Sequence, residues 1–494
     1  MNSNINITPE SLPNQLVAVR QERRKLLKIF WLGVTVLFLV ELITVKTSST
    51  ASIIGAILIA FTALLPVYLW CSGKALGMPI FPLFALTYLW THALPLVSEH
   101  PTVITYSPEE HLFASVTVSG FLGLGTFIWF QFVNKPPAIP KSYRLLRGQD
   151  SDGLFLFILA AGSLFNMYFL GGWFDLGGGA FALIRGSILG VNILSVFVLS
   201  YRCGTRELSG NKSKLFLAML ALYIITSAAS LLLVGALSIF LIATIAFVIG
   251  RRQVPWLPMI LVLICIAFLH YGKGEMRGKY WVNNEEHHVQ PWEYTAWYGE
   301  WINYSFDYFT NLDSSDDSEK KSSFLERNSV IQMLLLAQNK SPEERPYLSG
   351  LTYTIIPHLL VPRILNPNKL RSHVATYFLS MYYGLQSYES TLSTTIGWGI
   401  LSEAYANFGL SGCAGLAVIV GAAYGQATRW SLNTPMLSCR SLFSVLLLSF
   451  AFQSEWTAGV YAASLFQSSV ILVVINFVFM KTHTNRENLF IPYI

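Results

Sequence analysis

Two cationic segments flank the longest polar stretch of this otherwise hydrophobic chain. The first, 273–279, reads Lys-Gly-Glu-Met-Arg-Gly-Lys, and the second, 357–373, carries basic side chains among three prolines. Arginine binds phosphate oxygens through a planar fork of donors, and lysine adds a compact positive charge. The spacing therefore predicts a site for a phosphate or diphosphate group. Its candidate residues are Lys273, Arg277, Lys279, Arg363, Lys369 and Arg371, with Arg185 as a weaker candidate.

Each group of basic residues also has a plainer interpretation. Lysine and arginine at the end of a membrane helix extend toward the lipid headgroups, so 273–279 could be ordinary flanking charge. The prolines of 357–373 exclude a regular helix, and this segment could be a surface loop with incidental charges. Arg185 follows three glycines and opens an apolar run, where it could serve as an interfacial anchor.

Three titratable residues near these segments could accept a proton. Glu403 lies early in an apolar run, where a carboxylate is costly and is usually paired or functional. His358 and His373 belong to the second cationic segment and titrate near neutral pH. The sequence does not choose among the three as a general base. Glu403 could instead pair with an arginine, which would be a structural role.

An aromatic helix is predicted over 291–311, between the two cationic segments. Trp297, Trp301 and Tyr304 share one face at helical spacing. The plainer interpretation is an interfacial helix whose rings lie at headgroup depth. The alternative is a platform on which these three rings bind sugars. A second helix, 323–338, is predicted to serve packing only.

The elements that must position these residues are membrane-spanning helices. Hydrophobic residues make up 53% of the chain and charged residues 12%, and a soluble domain carries roughly twice that charged fraction. The predicted fold is an all-α polytopic membrane protein of about 12 transmembrane helices, with one long extracytoplasmic loop that contains short helices. A turn over 226–230 separates the least certain pair of spans. The predicted spans are 28–46, 51–71, 79–98, 111–133, 153–172, 186–202, 214–229, 231–250, 254–271, 401–428, 436–454 and 458–480.

The distribution of basic residues predicts the orientation. Lysine and arginine cluster in every second connection, and such connections remain in the cytoplasm. Both termini are therefore expected to be cytoplasmic. The net charge of +6 reflects these inside connections and does not indicate nucleic-acid binding. The predicted organisation is a cytoplasmic tail 1–27, transmembrane helices 1–9 over 28–271, the extracytoplasmic loop 272–400, transmembrane helices 10–12 over 401–480 and a cytoplasmic tail 481–494.

Two of these segments resemble a known family. The run Pro-Arg-Ile-Leu-Asn-Pro-Asn-Lys over 362–369 is followed by Gly-x-x-x-Glu-Ala-Tyr-x-Asn-Phe-Gly-x-x-Gly over 399–412 and by a closing pair of spans. This order is similar to that of bacterial oligosaccharide repeat-unit polymerases, the O-antigen (Wzy-type) polymerases, which are GT-C-like membrane glycosyltransferases. The resemblance covers the topology of the whole chain, but its motifs cover only about 355–412.

The resemblance implies a metal-independent polymerase of surface polysaccharide in the bacterial inner membrane. Its substrates would be oligosaccharides linked to a polyprenyl diphosphate such as undecaprenyl diphosphate, and it would need no cofactor. The three arginines of the two cationic segments and Lys369 would neutralise the departing diphosphate. Glu403, His358 or His373 would accept the proton of the attacking hydroxyl. The lipid bilayer is a partner, and the resemblance admits chain-length regulator and flippase proteins as further partners.

Other functions share most of these features. One is a ligase that moves a finished glycan onto an acceptor lipid or protein. Another is a transporter or flippase for the lipid-linked glycan, and a third is a non-catalytic scaffold of an export complex. Charges inside the predicted spans are few, with Glu41 as the main exception, and no clear internal repeat is present. These two observations favour an enzyme over a transporter.

Overall fold

The computed structural model describes residues 11–47, 49–98, 100–148, 151–173, 178–231, 233–282, 288–310, 329–361, 366, 369–393 and 395–484. Helices dominate these ranges, and two short strands form the sheet. The helices before the polar stretch are α1 Ser11–Thr44, α2 Thr50–Cys71, α3 Ile80–Tyr88 continued by a π-helix Leu89–Ala93 and α4 Leu94–Val97, α5 Pro108–Val133, α6 Asp152–Gly171, α7 Gly178–Thr205, α8 Gly210–Ala228, α9 Leu233–Arg251 and α10 Trp256–Arg277 continued by a π-helix Gly278–Val282.

The polar stretch itself contains several shorter helices. They are a 3-10 turn Pro291–Glu293, α11 Tyr294–Thr310, α12 Ile331–Lys340, a 3-10 turn Tyr353–Ile355, α13 Ile356–Leu360, α14 Val374–Tyr382 and α15 Tyr388–Ser393. Three helices close the chain: α16 Ile400–Ser431, α17 Cys439–Ala451 and α18 Ala458–Phe479. The strands are β1 Ser142–Leu146 and β2 Met480–Thr484, which pair antiparallel.

The helices follow the predicted membrane spans. A helix covers most of each predicted span, and eight helical segments in the described part of the chain are long and apolar enough to cross a membrane. These are α2, the α3–α4 run, α5, α6, α9, α10, α16 and α18, whereas α17 is apolar but shorter. A turn separates α8, which ends at Ala228, from α9, which begins at Leu233, so it lies slightly later than the predicted 226–230. The number of twelve spans stays a prediction.

The connections rich in lysine and arginine meet at one end of the molecule. The strand after α5 pairs with the strand after α18, and Leu145 also bridges to Ser438 before α17. Arg202 near the end of α7 forms a buried ion pair with Asp152 and donates to the carbonyl oxygen of Arg147 at 3.0 Å. A buried charge is costly without a partner, so this pair ties α6 and α7 together. The side of the membrane that this end faces stays a prediction.

At the other end, α12 inserts among the longer helices. At the start of this helix, the backbone N–H of Val330 donates to the carbonyl oxygen of Thr91 at 2.9 Å. Gln338 Nε2 then donates to Thr117 Oγ1 of α5 at 2.9 Å. Most of the helix is buried. The predicted packing role is confirmed from Ile331 onward, and 323–328 lies outside the described residues.

Gly272 determines how closely α11 crosses the end of α10. Its backbone N–H donates to Ser305 Oγ at 3.2 Å, and Trp301 Nε1 donates to the carbonyl oxygen of Leu269 at 2.6 Å. A Cβ atom at Gly272 would lie 2.7 Å from the carbonyl oxygen of Trp301. That separation is shorter than real Cβ contacts allow, so the crossing requires glycine.

We expect Gly272→Ala to lower the free energy of unfolding by about 1–3 kcal/mol, because the added methyl group overpacks the crossing. Thermal unfolding of the detergent-solubilised protein, followed by tryptophan fluorescence, would measure the loss. Gly278→Ala is the matched control, since a Cβ atom there meets no atom within 4 Å. Equal midpoints for the two variants would contradict the close crossing.

Candidate functional site

Glu403 is held at the first turn of α18. The residue is fully buried, and its Oε2 accepts a hydrogen bond from the backbone N–H of Ala458 at 2.6 Å. A negative charge at this position is stabilised by the positive end of the helix dipole. Within the described part of the chain, Oε1 of Glu403 makes no well-aligned hydrogen bond, and the Thr352 side chain lies near the carboxyl group. The carboxyl group thus keeps one acceptor oxygen inside the protein.

A break in α16 places Glu403 there. Gly409 has φ 61° and ψ −146°, so the helical backbone is interrupted between the first turns and the long remainder. Asn407 fastens the first turns: its Nδ2 donates to the carbonyl oxygen of Glu403 and to Thr352 Oγ1, both at 2.8 Å. Its Oδ1 accepts from the backbone N–H of Gly350 at 3.1 Å. The extracytoplasmic loop predicted from the sequence therefore packs directly on the residues around Glu403.

The structure brings the elements that carry His358 and His373 to the same start of α18. A Cβ atom at Gly459 would lie 3.2 Å from Leu359 Cδ1 and 3.7 Å from the carbonyl oxygen of Ser372. These two residues are the immediate neighbours of the histidines. His358 is exposed and His373 is half-buried. The three predicted proton acceptors therefore lie on elements that surround one helix start.

Lys273 and Arg277 lie close to Glu455, which precedes α18. Both cations are near enough for their charges to act on the Glu455 carboxyl. The carbonyl oxygen of Glu455 accepts from the backbone N–H of Gly399 at 3.0 Å. A Cβ atom at Gly397 would lie 2.8 Å from Glu455 Cβ, so the side chain packs against the segment that enters α16. The connection between α17 and α18 thus lies between the cations of α10 and the buried Glu403.

Sequence reasoning misses Glu455. The available signal is small: it is the acidic residue of the short connection between the last two predicted spans, on the side predicted to face outward. Nothing in the local sequence relates it to Lys273, which lies in a different part of the chain. Only the tertiary structure brings Lys273 and Arg277 near enough to Glu455 for their charges to act on its carboxyl.

The environment of Glu455 changes its acidity. Burial raises the pKa of its carboxyl above the usual range of a glutamate, while the positive charges of Lys273 and Arg277 act in the opposite direction. The side chain nevertheless keeps a substantial exposed surface. Protein atoms therefore replace part of the water around the carboxyl group, while the residue stays accessible to solvent.

Arg277 and Lys279 contact other groups of the protein. Arg277 Nη2 donates to the carbonyl oxygen of Leu231 at 2.6 Å, in the turn between α8 and α9. Lys279 Nζ lies 2.7 Å from Glu300 Oε1, and Tyr280 Oη donates to the other oxygen of Glu300 at 2.7 Å. The ion pair neutralises Lys279 locally. Its predicted role in phosphate binding stays a prediction.

The four remaining predicted phosphate ligands are Lys369, Arg371, Arg363 and Arg185. Lys369 and the exposed Arg371 belong to the connection that leads into α14, two residues before His373 in the case of Arg371. Arg363 lies outside the described residues. The backbone of Arg185 belongs to α7, and its side chain lies outside what the structure describes. Phosphate binding by these four residues stays a prediction.

The face of α11 on which the sugar platform was predicted is largely buried. The helix itself is confirmed as a 3-10 turn followed by α11, but Trp301 is fully buried and Trp297 is 6% exposed. The Trp301 ring stacks on that of Tyr298 with centroids 5.8 Å apart. The two tryptophans pack α11 against its neighbours, and their predicted sugar contact stays a prediction. Tyr304 is half-buried, and its predicted sugar contact stays a prediction.

The site offers anion binding and proton transfer together. Lys273 and Arg277 provide positive charge, Glu455 provides an accessible carboxyl group, and Glu403 provides a buried one. Among the described residues, no three His, Cys, Asp or Glu side chains are grouped closely enough to hold a metal ion. No protein-family model, curated protein or solved structure matches the chain.

Proposed function

We propose that this protein is a membrane glycosyltransferase that polymerises polyprenyl-diphosphate-linked oligosaccharide repeat units at the outer face of the bacterial inner membrane. The observation that carries the proposal is the meeting of Lys273 and Arg277 with Glu455, next to the buried Glu403. Cations at the end of an apolar helix suit a diphosphate whose lipid chain lies in the bilayer. A carboxyl group beside them suits a hydroxyl that must lose its proton.

In the proposed reaction, the donor diphosphate lies against Lys273 and Arg277. The bond between the anomeric carbon of the donor and the phosphate oxygen breaks, and its electron pair leaves with the diphosphate. The two cations stabilise that charge as it develops, which is where fixed charges contribute most to rate. A hydroxyl of the second repeat unit forms the new bond to the anomeric carbon and releases its proton.

Glu455 is the proton acceptor that we favour. Its carboxyl is accessible, and a raised pKa makes it a stronger base than an ordinary glutamate. Glu403 then acts as a positioning residue, because it is fully buried and fastens the start of α18. His358 and His373 remain the alternative acceptors, since their elements surround the same helix start.

The function is tested by deleting the gene and separating the surface glycan on a gel. A polymerase predicts loss of the long ladder while single repeat units are still attached to their acceptor. A ligase predicts long polymer that remains on the carrier lipid, and a flippase predicts lipid-linked units trapped on the cytoplasmic side. Either of the last two outcomes would overturn the proposal.

We expect Glu455→Gln to slow chain extension by roughly 100-fold or more, because the general base is lost. For the unchanged protein, the rate should rise with pH through the raised pKa of Glu455, since only the ionised carboxylate accepts a proton. The variant should lose this rise. Extension of a lipid-linked repeat unit by the purified protein, measured across pH, reports both effects.

Glu389→Gln is the matched control for this experiment, because Glu389 is an exposed glutamate of α15 in the same polar stretch. It should keep the rate and the pH profile of the unchanged protein. If Glu455→Gln retains both as well, Glu455 is not the base, and the histidines become the residues to replace.

A further inference from the structure

A second cationic recess lies at the end of the molecule where the basic connections meet. It is a recess of about 150 Å³ between the loop after α5, the end of α16 and the start of α17. The side chains that matter here are Arg429, Trp430, Gln426, Leu432 and Arg440. This recess has no part in the proposed transfer site, which is formed by the opposite ends of α16 and α17.

The recess is positively charged. Arg429 and Arg440 both line it, and no aspartate or glutamate is among its lining residues. Arg429 Nη1 donates to the carbonyl oxygen of Phe132 at 3.3 Å, which fixes its guanidinium while engaging one of five N–H donors. The guanidinium carbon of Arg440 lies 5.5 Å from the ring centroid of Trp430. Two oriented guanidinium groups of this kind suit the oxygens of a phosphate.

The surroundings of the recess indicate which kind of molecule carries that phosphate. The recess opens where the apolar helices α16 and α17 end, and Trp430 keeps 43% of its surface exposed beside it. Tryptophan is enriched at the depth of lipid headgroups, and basic pockets between membrane helices bind anionic headgroups. We propose that this recess binds the phosphate of an anionic phospholipid in the leaflet at this end of the protein.

The test is native mass spectrometry of the full-length, detergent-solubilised protein titrated with phosphatidylglycerol. Replacing both Arg429 and Arg440 with glutamine should weaken lipid binding about tenfold or more, because charge-assisted hydrogen bonds are lost. The matched control replaces Arg251 and Lys214 with glutamine. Both are basic residues of the same end that do not line the recess, and this variant should bind as the unchanged protein does.

Three results would overturn the proposal. The first is equal lipid binding by the recess variant and the unchanged protein. The second is an equal loss in the control variant, which would mean that any basic residue at this end contributes. The third is displacement of the lipid by glycerol phosphate at equal concentration, which would identify a soluble phosphate as the ligand.

A single variant provides a test that does not depend on the folding of the double variant. Arg440→Gln keeps the Arg429 hydrogen bond to Phe132 and changes a half-exposed residue. It should still weaken phosphatidylglycerol binding several-fold, whereas Arg440→Lys, which keeps the charge, should recover most of the affinity. Unchanged binding by Arg440→Gln would overturn the proposal even if the double variant does not fold.

Discussion

Replacing Lys273 with glutamine is expected to reduce glycan extension about 100-fold, because the proposed reaction then loses one fixed charge that would stabilise the departing diphosphate. Lys273 is close enough to Glu455 for its charge to act on that carboxyl, so it lies at the place where we expect the sugar–phosphate bond to break. The rate of extension of a lipid-linked repeat unit by the purified variant, at saturating substrate, measures the effect.

Lys279→Gln is the matched control and should keep the rate within about twofold, since an exposed ion pair contributes little. Lys279 lies in the same cationic segment, and its ammonium group forms an exposed ion pair with Glu300 at 2.7 Å. Equal losses in the two variants would mean that the segment acts through general positive charge. Equal retention would remove Lys273 from the site and with it the main support for diphosphate binding.

Replacing Gly409 with alanine is expected to destabilise the protein by about 3 kcal/mol and to abolish extension, because this backbone conformation is open almost only to glycine. Gly409 has φ 61° and ψ −146°. The added Cβ atom would also lie 2.8 Å from Tyr347 Oη. Relief of that strain would shift the first turns of α16, which carry Glu403. The midpoint temperature of thermal unfolding and the extension rate should both fall.

Gly415→Ala is the control on the same helix. A Cβ atom at Gly415 meets no atom within 4 Å, and the position is exposed. Alanine is favoured over glycine within a helix by roughly 0.5–1 kcal/mol, so this variant should be at least as stable as the unchanged protein. A Gly409→Ala variant that unfolds at the same temperature as Gly415→Ala would contradict the break in α16.

The helices could be predicted from the sequence because their signal is local. A run of about 20 apolar residues reports a possible span whatever its neighbours are. The turn near 226–230 was predictable for the same reason, since one span cannot accommodate the whole apolar run. The ends of the helices were less predictable: α10 continues to Arg277, beyond the predicted end of its span at 271.

The aromatic helix shows where a local signal becomes ambiguous. Helical spacing correctly predicted that Trp297 and Trp301 share a face of α11. It could not tell whether that face meets a sugar, the headgroups or the protein, because aromatic rings suit all three surroundings. The answer depends on Gly272, which lets α11 approach α10 closely enough to bury the tryptophans.

A helical, multi-span membrane protein could be predicted from residue order alone, and so could the unusual chemistry of Glu403, Lys273 and Arg277 for their positions. The tertiary structure decided which of these residues meet. It brought Glu455 near the cations Lys273 and Arg277, and it brought the histidine-bearing elements to the start of α18. Helix formation depends on hydrogen bonds and apolar surface within one segment. The site depends instead on contacts between segments far apart in the chain, and residue spacing carries no information about those.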